Sequence, residues 1–565
     1  MQSKNIRKIV FNNTTYTSDE EIANIFNDYF CSIGENIDSN IPPSSLDPCS
    51  FVNTNHSSSF FLEPVSPLEV EYHIKNLKNS KQNLNVLSIQ IFKENADFLS
   101  KIIADLTNIC FQSGTFPATL KMAIVLPLHK KGDHETLSNY RPISLLSPLS
   151  KLIEKCLKYR ILNYFSAKNL FNDVQFGFQC GVSTQDAILH FTEKIYANLH
   201  NMKSTLAVFI DFSKCFDTIK RNILIRKLEA YGIRGLPLLL FSSYLSGRYQ
   251  AVKVNGVTSD FRRIDTGIPQ GSVLGPILYL IYVNELPSIS SLCSMCLYAD
   301  DTTIIFENSN KNDLVRICNE GIDIFHSWCC SNRLSINVSK TNIMLFSNNL
   351  YPSDVSEIYM NNVRIEYASS VRFLGVIIDD KLKLNIYINS IAQKISKNAG
   401  VLYKLKQYVP PNTLLCVYRS FVESYLNYCI LIFGNAYPTH IRPLEVAQRK
   451  CIRIIANQPP DAHSNPIFSN FKLLKFSDIH NYNLGSYMYK NIEKFSSNIY
   501  QNPYHTRSGT YYAPTYQRLT LTQNQSIKVQ APSNWCNIPD TVKNSPSLHS
   551  FKKKYKKHLI SGYSV

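Results

Sequence analysis

The sequence holds 565 residues, with 59 Lys and Arg against 42 Asp and Glu for a formal charge of +17, and 44% of it is apolar. At about 150 residues per domain this length allows three or four packed units, and the apolar share excludes a disordered basic tail. The cation surplus predicts a polyanionic partner, nucleic acid ahead of an anionic membrane surface. No apolar run nears the ~18 residues of a bilayer span, which excludes a transmembrane reading; the longest, Val273 to Val283, is broken by Gly275 and Pro276.

The first eleven residues carry Lys4, Arg7 and Lys8 but no apolar stretch of leader type, so the protein is expected to be intracellular, in nucleus and/or cytoplasm, and not secreted. Residues 1–108 form a polar, Asn/Ser-rich flank with two helical patches. Ser18-Asp19-Glu20-Glu21 reads as a helix start followed by Ile22, Ile25, Phe26 and Phe30 at helical spacing, and Leu68, Val70, Ile74 and Leu77 mark a second amphipathic segment. A dense core of alternating helical and short β patterns fills 109–379. Within it Cys293-Ser-Met-Cys296 has metal-ligand spacing, but no second Cys/His pair follows at finger or knuckle spacing, so no zinc site is expected. The 15 scattered cysteines read as core thiols of a reducing compartment.

Residues 380–460 hold three predicted helices. The first, Ile388 to Tyr408, sets Ile388, Ile391, Ile395, Leu402 and Leu405 on one face and Lys394, Lys397, Lys404 and Lys406 elsewhere. A second follows Pro410-Pro411-Asn412-Thr413 and stops at Gly434, and a third runs from Pro443 to Asn457. The remaining 461–565 region is Tyr/Asn/Pro-rich and closes on a helix after Ser545-Pro546, apolar at Leu548, Phe551, Tyr555 and Leu559 and basic at Lys552, Lys553, Lys554, Lys556 and Lys557.

Three carboxylates stand at strand ends. Leu206-Ala207-Val208-Phe209-Ile210 reads as a buried strand that leaves Asp211 at its carboxyl edge, and Asp300-Asp301 joins two β-prone runs, which predicts a tight hairpin with acids at its tip. Adjacent acids there need solvent or bound cations. Two oxygen-ligated Mg²⁺ ions about 3.5–4 Å apart would satisfy this hairpin and Asp211 together.

Three blocks, Phe209-Ile-Asp-Phe-Ser-Lys-Cys-Phe-Asp217, Gly267-Ile-Pro-Gln-Gly-Ser-Val-Leu-Gly-Pro276 and Tyr298-Ala-Asp-Asp301, resemble motifs A, B and C of reverse transcriptases, in that order. Their wording is similar to the non-LTR (LINE-type) retrotransposon enzymes, the jockey-like branch in particular. Ala123 to Gly132 and Asn139 to Leu145 resemble the finger motifs, Gln175-Phe-Gly-Phe178 the next block, Leu334 to Thr341 motif D, and Val371-Arg-Phe-Leu-Gly375 the primer grip. The resemblance implies an α+β right-hand polymerase: fingers and a palm of antiparallel sheet plus helices over 109–379, a helical thumb over 380–460, mostly helical flanks and a basic C-terminal tail region.

It further implies an RNA-directed DNA polymerase, a nucleotidyltransferase with template RNA, a DNA primer and deoxynucleoside triphosphates as partners and two Mg²⁺ ions as cofactors, Mn²⁺ being a substitute. Asp211, Asp300, Asp301 and the Phe212 carbonyl would hold the metals. Lys130 and Arg141 would grip the triphosphate, Phe216 would crowd a ribose 2′-hydroxyl, Gln270 and Gly271 would lie against the nascent pair, and Lys340 would protonate departing pyrophosphate. Phe373, Leu374 and Gly375 would form the primer grip. Gln179-Cys180-Gly181 departs from the family where an Arg is usual, and Cys215 replaces a usual alanine. The 110 or so leading residues are too few for the endonuclease that normally precedes this polymerase, so its loss is expected. The competing expectation is a catalytically inactive RNA-binding remnant.

Overall fold

The computed structural model describes residues 6–52, 58–78, 88–350, 353, 356–501, 510–512 and 525–564. Residues 53–57 and 79–87 of the predicted polar flank, and 502–509 and 513–524 of the Tyr/Asn/Pro-rich region, lie outside them.

The predicted buried strand, Ser204–Ile210, is the middle of a five-stranded sheet. Antiparallel neighbours flank it: Asp301–Asn308, with Thr302 opposite Ile210, and Asn342–Phe346, with Asn342 opposite Phe209. Ser294–Tyr298 and Glu366–Tyr367 form the two edges. All seven residues of the middle strand are buried because both faces are covered. Leu206, Val208 and Ile210 pack with helices Pro148–Ala167, Gly275–Tyr282 and Lys311–Ser331. Ala207 and Phe209, alternating to the other face, pack with helix Thr184–His200 and the helices beyond residue 385. A strand covered on both faces reads as an unbroken apolar run even when its pairing is antiparallel.

A second sheet stands before it, built on the hairpin Met122–His129 and Tyr140–Leu145, with Arg248–Val254 parallel to the first hairpin strand and Val257–Thr258 and Arg262–Ile264 beside it.

The described residues of the 1–108 flank pack into both regions. Helix Asp19–Asp38 starts where Ser18 predicted and buries Ile22, Phe26 and Phe30 against Val125, Tyr140 and Val252 of the second sheet. Val70, Ile74 and Ile103 share the palm core with Ile210 and Phe212, while Leu68 points to solvent.

Beyond the five-stranded sheet, helix Asn385–Leu405 packs against Pro438–Ile455. The latter begins five residues before the predicted start, since Pro438 takes the first-turn position and Pro443 sits inside the helix. The predicted second helix is interrupted: Pro411–Tyr418 passes through a π-helical turn, Arg419–Glu423, and the chain reverses at Cys429, φ +57°, before Gly434. Apolar packing continues across residue 460. Trp535, Phe551 and Tyr555 belong to the same core as Ile388, Leu444, Phe191 and Phe373. The C-terminal helices are also anchored on the palm, where Glu193 accepts hydrogen bonds from Ser526 Oγ at 2.6 Å and Ile527 N at 2.7 Å.

Candidate active site

Asp211 directly follows the middle strand and Asp301 begins its neighbour, so the register of Thr302 opposite Ile210 brings the two aspartates to the same end of the sheet. Asp300 occupies the two-residue turn Ala299-Asp300 of the predicted hairpin, whose last pair is Asp301 with Tyr298. Ala299 takes a left-handed φ of +57° there, a conformation that costs a non-glycine residue and needs support from its surroundings.

That support comes from Gln175, which the sequence reading passed over as one letter of a block. Its buried amide oxygen accepts from Ala299 N at 3.1 Å and from Gly177 N at 2.8 Å. The loop before it is laced to the hairpin by Phe176 N to Leu297 O at 2.7 Å and Leu297 N to Val174 O at 2.9 Å. Contact is so close that a Cβ on Gly177 would lie 2.2 Å from Ala299 N. The only available sequence signal was a glutamine two residues before a glycine, which names no partner more than 120 residues away.

Asp211 is fixed from its other side. Its carbonyl accepts from Asn337 N at 2.8 Å, and Ser213 N donates to Ser335 O at 2.9 Å. These bonds flank the Phe212–Ile336 bridge, so the Phe212 carbonyl is not used in it. Lys340, carried on the same 334–341 segment, brings Nζ to 3.5 Å from Asp211 Oδ2, and both side chains are open to solvent. Desolvation, reinforced by Asp300 and Asp211, pushes the Asp301 carboxyl up to about 6, with Lys130 opposing the rise. Such crowding of like charge is what a bound cation relieves. Even so, the only trio of His, Cys, Asp or Glu with ligand atoms all within 4.8 Å among the described residues is Glu69, His73 and Cys156. That trio is no metal site: Glu69 is clamped by Arg160 at 2.8 and 3.1 Å, and burial pushes the Cys156 thiol up to about 12. Asp211, Asp300 and Asp301 do not bring three ligand atoms all within 4.8 Å of one another. All 15 cysteines are free thiols, Cys293 and Cys296 included.

From Asp211 and Asp301 an open groove of about 330 Å³ runs past Lys340 to Arg372 and Leu374. Its far end is the hairpin Ser370–Phe373 and Val376–Asp379. Of the expected primer-grip residues, Phe373 lines the groove while its ring packs toward the core, 5.5 Å from Phe191 and 5.7 Å from Phe209. Leu374, φ +46°, and Gly375, φ +87°, make the turn, pinned by Tyr428, whose hydroxyl donates to Leu374 O at 2.6 Å.

Lys130 and Arg141 lie at the exposed end of the second sheet's hairpin, where Lys130 N donates to Asn139 O at 2.9 Å. Desolvation and the neighbouring Arg141 lower the Lys130 ammonium, and Asp211 works against them. Phe216 is half-buried and stacked on Tyr279, with centroids 4.7 Å apart and planes at 26°. Gln270 does not present a free amide, because its Nε2 donates to both oxygens of Asp217 at 2.8 and 2.9 Å. Burial pushes Asp217 up to about 6 against the lowering influence of Gln270, Lys214 and Arg141. The Gln270 carbonyl accepts from Ser144 N at 2.7 Å, and Gly271, φ +116°, lies so close that a Cβ would meet Ser144 O at 2.6 Å. Two residues outside the expected set hold this loop. Buried Glu154 accepts from Val273 N and Leu274 N at 2.7 and 3.2 Å, and Arg221 donates to the carbonyls of Ile264, Thr266 and Gly267 at 2.8, 3.0 and 3.0 Å.

Residues 128–378 match the family described as reverse transcriptase (RNA-dependent DNA polymerase). The chain is 29% identical over 361 residues to the probable RNA-directed DNA polymerase from transposon BS of Drosophila melanogaster, covering 61% of this chain and 39% of that protein. It is 25% identical over 459 residues to the RNA-directed DNA polymerase from mobile element jockey of the same fly, covering 78% and 49%. The chain thus spans half or less of the length of these relatives. A solved structure of apo telomerase from Candida tropicalis, truncated from its C-terminal domain, matches 54% of this chain and 61% of that one at 13% identity with a TM-score of 0.33. The motif strands, tip aspartates and supporting loops all fall within the stretch that matches the reverse transcriptase (RNA-dependent DNA polymerase) description, and the relatives it resembles carry the names of transposon BS and mobile element jockey.

Proposed function

We propose that the protein is an RNA-directed DNA polymerase of a non-LTR retrotransposon, adding deoxynucleotides to a DNA primer 3′-end on an RNA template. Asp211 and Asp301 meet on neighbouring antiparallel strands at the head of a groove that leads to the 370–376 hairpin, and this juxtaposition carries the reading. The donor set is all oxygen and crowded with negative charge, which suits hard divalent cations. Two Mg²⁺ ions on Asp211, Asp300, Asp301 and the Phe212 carbonyl would lower the pKa of the primer hydroxyl and neutralise the triphosphate.

The chain's own residues supply the rest. Lys130 and Arg141 bind triphosphate oxygens, the guanidinium through paired donors. The Phe216 ring, held flat by Tyr279, bars a 2′-hydroxyl from the sugar site. Lys340, beside Asp211, carries the proton that departing pyrophosphate takes up. Leu374 and Gly375 hold the primer end, and exposed Lys394 and Lys397 follow the duplex backbone.

Primer extension on an RNA template with Mg²⁺ tests the proposal. Wild type extends, and Asp300→Asn falls by at least a hundredfold. Equal extension by the two proteins, or salt-dependent RNA binding by wild type with no incorporation, overturns it.

A further inference from the structure

Only one end of the Gln270 amide is engaged by Asp217. Its Nε2 donates to Oδ1 at 2.8 Å and to Oδ2 at 2.9 Å, and a carboxylate, which only accepts, dictates which end of the planar group faces it. The other end, Oε1, accepts from no described residue and stands open to solvent. The loop that carries Gln270 is tied to two elements with expected nucleotide contacts: Ile268 N donates to Phe216 O at 2.9 Å, and Ser144 N, on the strand of Arg141, donates to Gln270 O at 2.7 Å. Asp217 is the less movable partner. A Cβ on Gly267 would lie 2.8 Å from the Asp217 carbonyl oxygen, and one on Gly34 of the flank helix would lie 2.8 Å from the same atom, so its backbone is clamped between loop and helix.

The charges that act on this carboxylate are both cations, Lys214 from its own segment and Arg141 from strand Tyr140–Leu145. Arg221 and Arg248, from helix Arg221–Ala230 and strand Arg248–Val254, line the same cavity of about 40 Å³. The buried Cys215 thiol, two residues away, feels the carboxylate in turn. Burial outweighs the cations and holds Asp217 at about 6. On taking a proton the side chain gains one O–H donor, which an amide oxygen accepts and an amide nitrogen does not. Gln270 then turns over, with Oε1 inward and Nε2 outward, and the atom it shows to solvent changes from an acceptor to a donor.

We propose that Asp217 is a positioning residue for nucleotide binding: by holding the amide nitrogen, it turns Gln270 Oε1 toward the incoming nucleotide as a hydrogen-bond acceptor. This rests on the polymerase reading, in which Gln270 lies against the nascent pair, and adds the polarity of that contact and the residue that sets it. The nucleotide group that meets Oε1 is therefore a donor, a sugar O–H or a base N–H, and not a phosphate oxygen.

Single-nucleotide incorporation by the full chain at saturating Mg²⁺ gives kcat and KM for wild type, Asp217→Asn, Gln270→Met and the double variant at pH 8 and pH 5.5. Asparagine offers the amide of Gln270 either an oxygen or a nitrogen, so at pH 8 Asp217→Asn should raise KM about three- to tenfold, with kcat within threefold. In the Gln270→Met background the same change should alter KM less than twofold, a coupling that a merely structural aspartate would not show. At pH 5.5 about a quarter of Asp217 is ionised, so KM should rise about fourfold more in wild type than in Asp217→Asn. Asp301, also near 6, bears on both proteins alike. A 2′,3′-dideoxynucleotide separates the two donors: the effect of Asp217→Asn vanishes with it when the sugar hydroxyl is the donor and persists when a base N–H is. Should Asp217→Asn unfold, Gln270→Met serves, since its KM should lack the same fourfold response to pH. Additive effects of the two substitutions, or folded variants whose KM follows wild type at both pH values, overturn the proposal while wild-type extension leaves the polymerase reading standing. Absence of extension by wild type overturns both.

Discussion

Replacing Gln175 by Leu removes one acceptor at nearly constant volume and strands two buried N–H groups, those of Gly177 and Ala299. Each unsatisfied donor costs about 1–3 kcal/mol, so an unchanged turn would carry about 2–6 kcal/mol. The hairpin tip has a cheaper course, because Ala299 already sits at φ +57° and Asp300 beside it is exposed. It can rotate until its N–H reaches water and carry Asp300 with it. A displacement near 1 Å at reacting groups is worth about a hundredfold in rate. We expect Gln175→Leu to lower kcat ten- to hundredfold in steady-state primer extension, with KM for the deoxynucleotide within threefold of wild type. Gln175→Glu keeps the acceptor but adds a buried anion near Asp300 and Asp301, so it should retain more kcat at saturating Mg²⁺ and need more Mg²⁺ for half-activity. A Leu variant with kcat within twofold of wild type and an unchanged thermal midpoint would refute the assignment of Gln175 as the brace of the tip.

Gly271→Ala meets both a left-handed φ of +116° and the Ser144 carbonyl at 2.6 Å, a strain of about 2 kcal/mol or more. Relief by moving the Tyr140–Leu145 strand would shift Arg141, so KM for the incoming nucleotide should rise at least tenfold, read by single-nucleotide incorporation. His480 supplies a pH test of stability. Burial lowers its pKa from 6.5 to about 4, so the unfolded chain binds the extra proton between those values. The stability it contributes is complete above pH 6.5 and is lost as pH falls toward 4, about 3 kcal/mol at 1.36 kcal/mol per unit. Urea titrations of wild type and His480→Gln at pH 7 and pH 4 should show the variant losing about that much less, and parallel losses would contradict it.

The central strand, the hairpin tip and the helix start at Ser18 were legible because each is written in a few adjacent residues. Asp211 and Asp301 were readable as strand ends, and their adjacency followed once the strands paired. What stayed hidden depends on distant partners. The packing of the Phe373 ring against Phe191 depends on a helix some 180 positions earlier, which nothing around Phe373 in the sequence reveals. The Gln270 amide was assigned to nucleic acid because nothing local reveals Asp217, 53 positions earlier, as its acceptor. The flank looked separable because polarity and prolines dominate its composition, while the few apolar side chains that bind it to both sheets are spread over some 80 residues.

The shared core behind the palm also has a consequence for synthesis. Phe209 and Phe373 lie in the same apolar cluster as Trp535, Phe551 and Tyr555. A growing chain therefore cannot complete this apolar cluster until residues near 555 have left the ribosome, long after every motif has emerged. Until then that surface is exposed and prone to aggregate. A copy interrupted by a stop codon near residue 460 would keep Asp211, Asp300 and Asp301 but lose Trp535, Phe551 and Tyr555 from the cluster that Phe209 and Phe373 share, so late nonsense mutations should lower the yield of folded protein.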